Sequence, residues 1–250
     1  MKKMKNVTKK RTKAAFLLLI LTSVTLSITI AVPIKSQAIT PIEPTTKIIK
    51  IKYAVTDDAY INKGHPNTNR GSRNYMVVRN TYGYGGSSHW AWESLVKFDL
   101  TQIVLMKHHL KDAKIVSATL KLYYYRWKDN YPAGRELSLY RLTNDWSEKT
   151  VTWNTKPSSA SEATDIAVVP NSTGVWIKFN VTKDLKENLE NSLFGWKITD
   201  NNYWGNTNIP IVFFRTKEYG SYIPTLEVKV QVTLPHQKFQ DDGQAIAVLR

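Results

Sequence analysis

The sixteen residues Leu142–Pro157, LTNDWSEKTVTWNTKP, decide how this chain reads. They hold two tryptophans, Trp146 and Trp153, with Glu148 as the acid between them, a β-branched run at Thr150, Val151 and Thr152, and a closing Pro157. A helix needs apolar residues sustained three and four apart, and this stretch has none. Asn144 and Asp145 punctuate the end of one strand, and Thr150–Trp153 reads as a short second one. Pro157 ends the segment, because proline cannot donate to a ladder and restricts the residue before it. No nucleophile, base or metal cluster sits here. The expectation is a corner of an all-β fold, a two-sheet jelly-roll-like sandwich, pinned by two indoles.

Outward from the corner the pattern stays that of strands. Ile48–Val55 alternates apolar and basic residues, and Tyr75–Asn80, Leu95–Leu100, Ala118–Trp127, Glu136–Leu142, Val175–Val181, Ile209–Arg215 and Thr225–Val232 read as strands. Thr182–Leu193 is the one convincing helix, with Leu185, Leu189 and Leu193 four apart and Thr182 able to cap. There are no cysteines, so the fold must rest on a hydrophobic core, and about 180 residues suffice for one. No tandem repeat and no second domain is visible.

The run W-S-E-x-T-V-T-W-N-x-x-P at Trp146–Pro157 resembles the disaggregatase-related (DNRLRE) domain, a group of secreted β-sandwich modules that includes carbohydrate-binding module family 96. Asp58-Ala59-Tyr60-Ile61 and Pro66-Asn67-Thr68-Asn69-Arg70-Gly71-Ser72 look like its opening segments. Leu95–Leu100 and Ile115–Tyr123 look like its L-L-K-F-D-L and I-x-S-A-T-L-x-L-Y strands. The resemblance covers residues 53–232 and implies a sandwich that binds polysaccharide, some relatives being associated with uronic-acid polymers such as alginate. Two departures are local: Lys107–Asp112 lengthens a tight connection, and Asn180 stands where the family often has Asp.

The N-terminus reads as a secretory signal peptide, residues 1–38: a basic head, an apolar run Ala14–Val32 and a small-residue site at Ser36-Gln37-Ala38. The run is close to the ~20 residues that span a bilayer, so a retained anchor is the rival, and membrane association is expected only with that segment retained. Residues 39–47 read as a linker, 48–233 as the sandwich domain and 234–250 as a tail. The whole chain carries a formal charge of +15, but residues 1–38 hold eight of its 35 basic residues and no acid. The remaining 27 against 20 acids is a modest excess that suits acidic partners and is no nucleic-acid signature.

Candidate binding residues come from strand alternation. With Ala118, Leu120 and Leu122 inward, Lys121, Tyr123, Tyr125 and Trp127 form a row on the opposite face, flanked by Arg126. Exposed aromatics in a row point to a partner. The resemblance implies that Lys97 shares this surface, since the family is expected to pair these two strands in one sheet. Trp90 and Trp92, two apart after a glycine-rich turn, are equally readable as core or as platforms for the apolar faces of sugar rings; Tyr203 and Trp204 sit in a second polar loop. Asp57, Asp58 and Asp99 are candidate ligands for a structural calcium, an idea the resemblance raises, although the loop His65–Asn74 has no calcium-loop spacing. No other cofactor is expected.

Enzyme motifs are absent: there is no HExxH, G-x-S-x-G or P-loop, and the five histidines are scattered. Carboxylate pairs leave no spacing signature, so Asp99, Glu93 and Glu148 are the acids a glycosidase reading would use. The reading that fits best is a secreted, non-catalytic carbohydrate-binding module that takes a polysaccharide on aromatic and basic residues, with the resemblance pointing to an acidic, uronate-containing one. The alternative is a structural cell-envelope or matrix protein that binds wall polymers or proteins.

Overall fold

The computed structural model describes residues 45–80, 91–110, 112–190, 193–202 and 209–234. The expected signal peptide, most of the linker, and residues 235–250 of the tail lie outside them. Eleven strands follow in chain order: β1 (Thr45–Ala54), β2 (Asp57–Asn62), β3 (Tyr75–Val78), β4 (Trp92–Lys97), β5 (Lys114–Lys128), β6 (Glu136–Arg141), β7 (Asp165–Val168), β8 (Val175–Asn180), β9 (Trp196–Thr199), β10 (Ile211–Arg215) and β11 (Thr225–Leu234). They form two antiparallel sheets, one of order β1-β11-β5-β10-β3 with β8 added to β5, the other β2-β4-β9-β6-β7. We call these sheets A and B. The fold is an all-β sandwich, as expected.

Strand β5 organises sheet A because it is long enough, at 15 residues, to take three partners. Lys121 is opposite Thr225 of β11 and also opposite Lys178 of β8, so those two strands lie on its two edges. Further along, Tyr124 is opposite Phe214 of β10 and Val175 of β8. Strands β11 and β10 therefore follow one another along a single edge of β5. Its alternation is the reason it lies half buried: Ala118, Leu120, Leu122 and Tyr124 enter the core with Leu226, Val228, Phe179 and Phe214. Val96, Leu139, Trp196 and Ile198 of sheet B complete that core.

A second, smaller core lies on the far face of sheet B. Ala59, Ile61 and Leu95 project there and are covered by Leu142, Trp146 and Val151, with Trp153 and Phe194 packed alongside. The corner segment is thus a cover over β2 and β4. It is not a strand. Thr150 and Val151 both donate to the carbonyl of Ser147, at 3.1 and 2.9 Å, and the Asn69 amide takes the carbonyls of Glu148 and Val151 at 2.6 and 2.8 Å. With those groups already satisfied locally, the β-branched run has no ladder to join, which overturns the strand expected at Thr150–Trp153. A Cβ on Gly71 would stand 2.1 Å from the Glu148 carbonyl oxygen, so only glycine lets the two segments approach this closely.

Other expectations shift. A second helix, α1 (Thr101–His109), occupies part of what read as a lengthened connection; Asp99 Oδ1 accepts from the Thr101 amide and hydroxyl at 2.9 and 2.6 Å and starts it. Its apolar residues, Ile103 to Met106, are consecutive and make no stripe, so periodicity missed it. The expected helix is shorter, α2 (Thr182–Asn188), and the Asn180 side chain accepts the Thr182 amide at its start, at 3.1 Å, where Thr182 was expected to cap. Residues 45–47, expected in the linker, already belong to β1.

Candidate functional site

The face of sheet A turned away from the core is set by register. Lys52 is opposite Glu227, Lys50 opposite Lys229, and Lys121 opposite both Thr225 and Lys178, and paired residues share a face. These five lysines therefore share one face with Glu227. Lys121 binds Glu227 Oε1 at 2.9 Å, and this bond, supported by Lys52 and Lys178, holds the Glu227 carboxyl below the usual glutamate range. Among the described residues, Lys50, Lys52, Lys178 and Lys229 have no carboxylate within 4.0 Å. A cleft of about 310 Å³ lies along the β1–β11 pair, lined by Lys50, Ile51, Lys52, Glu227, Val228 and Lys229.

Next along β5 this face becomes aromatic. Tyr123 stands opposite Trp176 of β8, with ring centroids 5.2 Å apart, edge to face. Tyr222, from the β10–β11 connection, stacks on Tyr123 at 4.3 Å and is 54% exposed. Tyr222 holds a left-handed backbone, φ 54°, unusual for a tyrosine, and stacking keeps its ring over the sheet. The Lys121 ammonium lies 5.6 Å from the Trp176 ring centre. A cation band that ends in a three-ring platform can offer point charges to anionic groups and flat apolar surface to sugar rings.

Beyond Tyr123 the row expected on β5 breaks. A register shift places Phe214 opposite Tyr124 but Phe213 opposite Arg126, so Tyr125 is an extra residue, a β-bulge. From there the alternation is displaced by one. Arg126 stays on the outer face, 4.1 Å above the Phe213 ring, whereas Trp127 is opposite Val212 and turns to the other side, edge to face with Tyr131. The structure thus places Lys121, Tyr123, Tyr125 and Arg126 on one face and removes Trp127 from it.

A carboxylate cluster lies between the corner and the β10–β11 connection. Asp58, Glu148 and Glu218 bring one oxygen each within 4.8 Å of one another, the one such group among the described residues. Asp58 is fully buried; its Oδ2 accepts the Lys217 amide at 2.9 Å and its Oδ1 has no partner. Burial pushes its carboxyl up to about 8, against the Lys217 amide and with Glu218 adding to the rise. The Lys217 ammonium is bonded to Glu148 and to the Thr56 carbonyl at 2.8 Å, and stands 3.6 Å from Glu218. Calcium takes six to eight oxygens. With the Lys217 ammonium already seated against Glu148 and Glu218, and burial favouring a proton on Asp58, the set does not fit a resident calcium.

A model of carbohydrate-binding module family 96 matches residues 49–230. The chain belongs to that family. The match starts within β1 and ends within β11, so it takes in every strand of this family 96 module in whole or in part. Such a family is one of non-catalytic binding modules that take glycans. No curated protein matches the chain. Among solved structures, a similar chain is in the cryo-EM structure of Mud crab tombus-like virus, at 8% identity over 93% of this chain and 95% of that one, with a TM-score of 0.23. That likeness carries no argument about fold or function.

The remaining expected residues of the family 96 module sit elsewhere. Lys97 belongs to sheet B, not to the face that carries Lys121: its ammonium bonds Asp145 at 3.1 Å and the Trp146 carbonyl at 2.5 Å, and lies 5.4 Å from the Trp146 ring centre. Trp92 packs on Tyr60 at 6.1 Å and under Arg79 at 5.7 Å, half buried. Trp90, Tyr203 and Trp204 lie outside the described residues. Asp57, Asp58 and Asp99 do not converge: Asp57 accepts the Glu148 amide at 3.2 Å and Asp99 starts α1. Of the acids a glycosidase reading would use, Glu93 is paired with Lys156 at 2.9 Å, Glu148 with Lys217, and Asp99 is engaged at α1.

Lys50, Lys52, Lys178, Lys229, Trp176 and Tyr222 were not anticipated as site residues. A signal existed in K-I-K-Y, W-I-K-F and E-V-K-V, where each lysine stands between two apolar residues of a strand. Which strands would lie side by side, and so pool those cations, is not written in any one of them.

Proposed function

We propose that this protein is a secreted, non-catalytic module that binds an acidic, uronate-bearing polysaccharide across the outer face of sheet A. The observation that carries the reading is the band of five lysines with one carboxylate, Lys50, Lys52, Lys121, Lys178 and Lys229 around Glu227, running into the rings of Tyr123, Trp176 and Tyr222. Ring carboxylates of the polymer would meet the ammonium groups, and the apolar faces of the sugars would rest on the aromatic platform. Secretion follows from the N-terminal leader, and membrane attachment from its retention. Calcium plays no part in this binding.

The test is retardation of the purified protein in gels cast with alginate or with a neutral glucan, at low and high salt, with calcium and with chelator. Retardation by alginate that added salt weakens and chelator leaves unchanged is the expected result, since exposed charge pairs are screened beyond about 10 Å at 0.1 M. Retardation by the neutral glucan alone would discard the lysine band. No retardation by either polymer would favour a structural envelope protein.

A further inference from the structure

We propose that Arg126 and Arg215, with Tyr125 between them, form a second subsite on this face, an arginine fork for the oxyanion substituents, carboxylate or sulfate, of the same polymer; this rests on the ligand being a polyanion. The bulge builds it. By inserting Tyr125 into β5 opposite the Phe213–Phe214 step, it turns Tyr125 and Arg126 to the same side. Arg215 is then held between two rings, its Cζ 3.8 Å from the centre of Tyr125 and 3.3 Å from that of Tyr219. Arg126 lies 4.1 Å over Phe213 and 5.9 Å from Tyr125.

Stacking uses the faces of both guanidinium planes and leaves their N–H edges for an acceptor. No protein acceptor takes them: among the described residues neither arginine donates a hydrogen bond to an oxygen, and neither has a carboxylate within 4.0 Å. The Arg215 Nε is buried with no partner, and a donor removed from water without an acceptor is costly until one arrives. Glu218, two residues before Gly220 in the same connection, turns instead to Lys217 at 3.6 Å. Arg79, by contrast, is paired with Asp129 at 3.3 Å. Each of these guanidiniums, fixed beside Tyr125 and unpaired among the described residues, can present two parallel N–H donors to an oxyanion.

The subsite is separate from the lysine cleft. Lys229, at the cleft, is opposite Ser117, and nine residues of strand to Arg126 span roughly 30 Å. A ligand engaging both must be a polymer, and the two ends read it differently: lysines as point charges, arginines by the fork.

The test uses the full protein and a charge-conserving double variant, Arg126→Lys with Arg215→Lys, beside a cleft variant, Lys50→Gln with Lys52→Gln. Each is retarded in alginate and in dextran sulfate, and each is titrated with inorganic sulfate and with methyl glucuronoside by tyrosine fluorescence. The single variant Arg126→Lys, at an exposed position, serves as well should the double variant fail to fold. The expected result is about tenfold weaker retention of the arginine variant on one of the two polyanions at unchanged net charge, and a fluorescence response that it abolishes and the cleft variant keeps. The polymer affected names the oxyanion. Wild-type retention by the arginine variants on both polymers would overturn the subsite while the cleft variant still tests the polysaccharide reading. If neither polymer retards the wild type, that reading fails, and the small-anion titration alone decides: a response lost with Arg126 and Arg215 keeps the subsite, and no response removes it.

Discussion

Two regions of this molecule set lysines beside tryptophans, and they do opposite things with them. At the corner, Lys97 lies 5.4 Å from the ring centre of Trp146 and Lys156 3.5 Å from that of Trp153, and each ammonium is also paired, with Asp145 and Glu93 respectively. On the outer face of sheet A, Lys121 sits 5.6 Å from the Trp176 ring with its pair Glu227, but the lysines around it have no carboxylate of their own within reach. A cation against an indole is therefore no sign of a site. What separates the two regions is whether the polar atoms are already satisfied within the chain, because satisfied groups have nothing left to exchange with a ligand.

The sharpest way to break that contrast is Trp146→Ala. Trp146 is buried, donates from Nε1 to the Phe194 carbonyl at 3.0 Å and fills the small core over β2 and β4. Its removal should cost about 3–5 kcal/mol in urea unfolding and leave polyanion retention intact wherever the protein is still folded. Gly71→Ala should act in the same direction, since backbone must yield to its Cβ. A folded Trp146→Ala protein that no longer binds would place the ligand at the corner and reverse the comparison.

The same corner predicts a pH dependence that the outer face does not. Asp58 is pushed from 3.8 to about 8 in the folded protein, mainly by burial, with Glu148, Lys217 and Glu218 as the charged groups around it. Its folded pKa is raised, so the stability it contributes is full below about pH 4 and is lost as the pH climbs toward 8. Between pH 5.5 and 8 the folded state holds a proton the unfolded chain has released, and stability should fall by at most about 1.4 kcal/mol per pH unit. The carboxylates held low, Asp99, Asp145 and Glu227, are ionised throughout that window and add no slope. Urea midpoints across it, for wild type and Asp58→Asn, check this: the variant should show a flattened profile, and an equal slope in both would assign the titration elsewhere.

Trp176→Ala and Tyr222→Ala approach the contrast from the other side. Truncating a ring of the platform should weaken polyanion binding by about 1–2 kcal/mol, roughly tenfold, while the unfolding free energy moves by less. Affinity-gel retention and urea melts measured on the same preparations separate the two. A loss of stability larger than the loss of binding would make these rings outer-face packing.

These outcomes bear on what the sequence could disclose. The corner was legible because W-S-E-x-T-V-T-W-N-x-x-P and P-N-x-N-x-G are each compact, and the structure shows why they occur together: Asn69 and Gly71 clasp Glu148 and Val151. Its backbone reads as a strand and is not one, since a β-branched run forms a strand only where a neighbour offers a ladder. The binding face was half legible. Alternation placed Lys121 and Tyr123 on one side of β5, but the bulge at Tyr125, set by β10 nearly 90 residues later, displaced Trp127. Lys97 looked like a neighbour of Lys121 until the two strands fell into different sheets. Register between distant strands is a tertiary property.

The smallest effect is the most specific to the lysine band. Lys52→Gln or Lys229→Gln removes an exposed charge with no carboxylate within 4.0 Å among the described residues, so stability should change little. Each should weaken polyanion binding by about threefold, the scale of one exposed charge pair. The signature lies in the salt dependence. Each lysine that meets an anionic group adds to the slope of affinity against ionic strength, so the variants should bind less steeply and converge on wild type at high salt. Lys156→Gln, which removes a cation already paired with Glu93, should leave that slope unchanged. If Lys156→Gln flattens it as much as Lys52→Gln does, internal pairing fails to distinguish the two regions, and the ligand reads only the net charge of the protein.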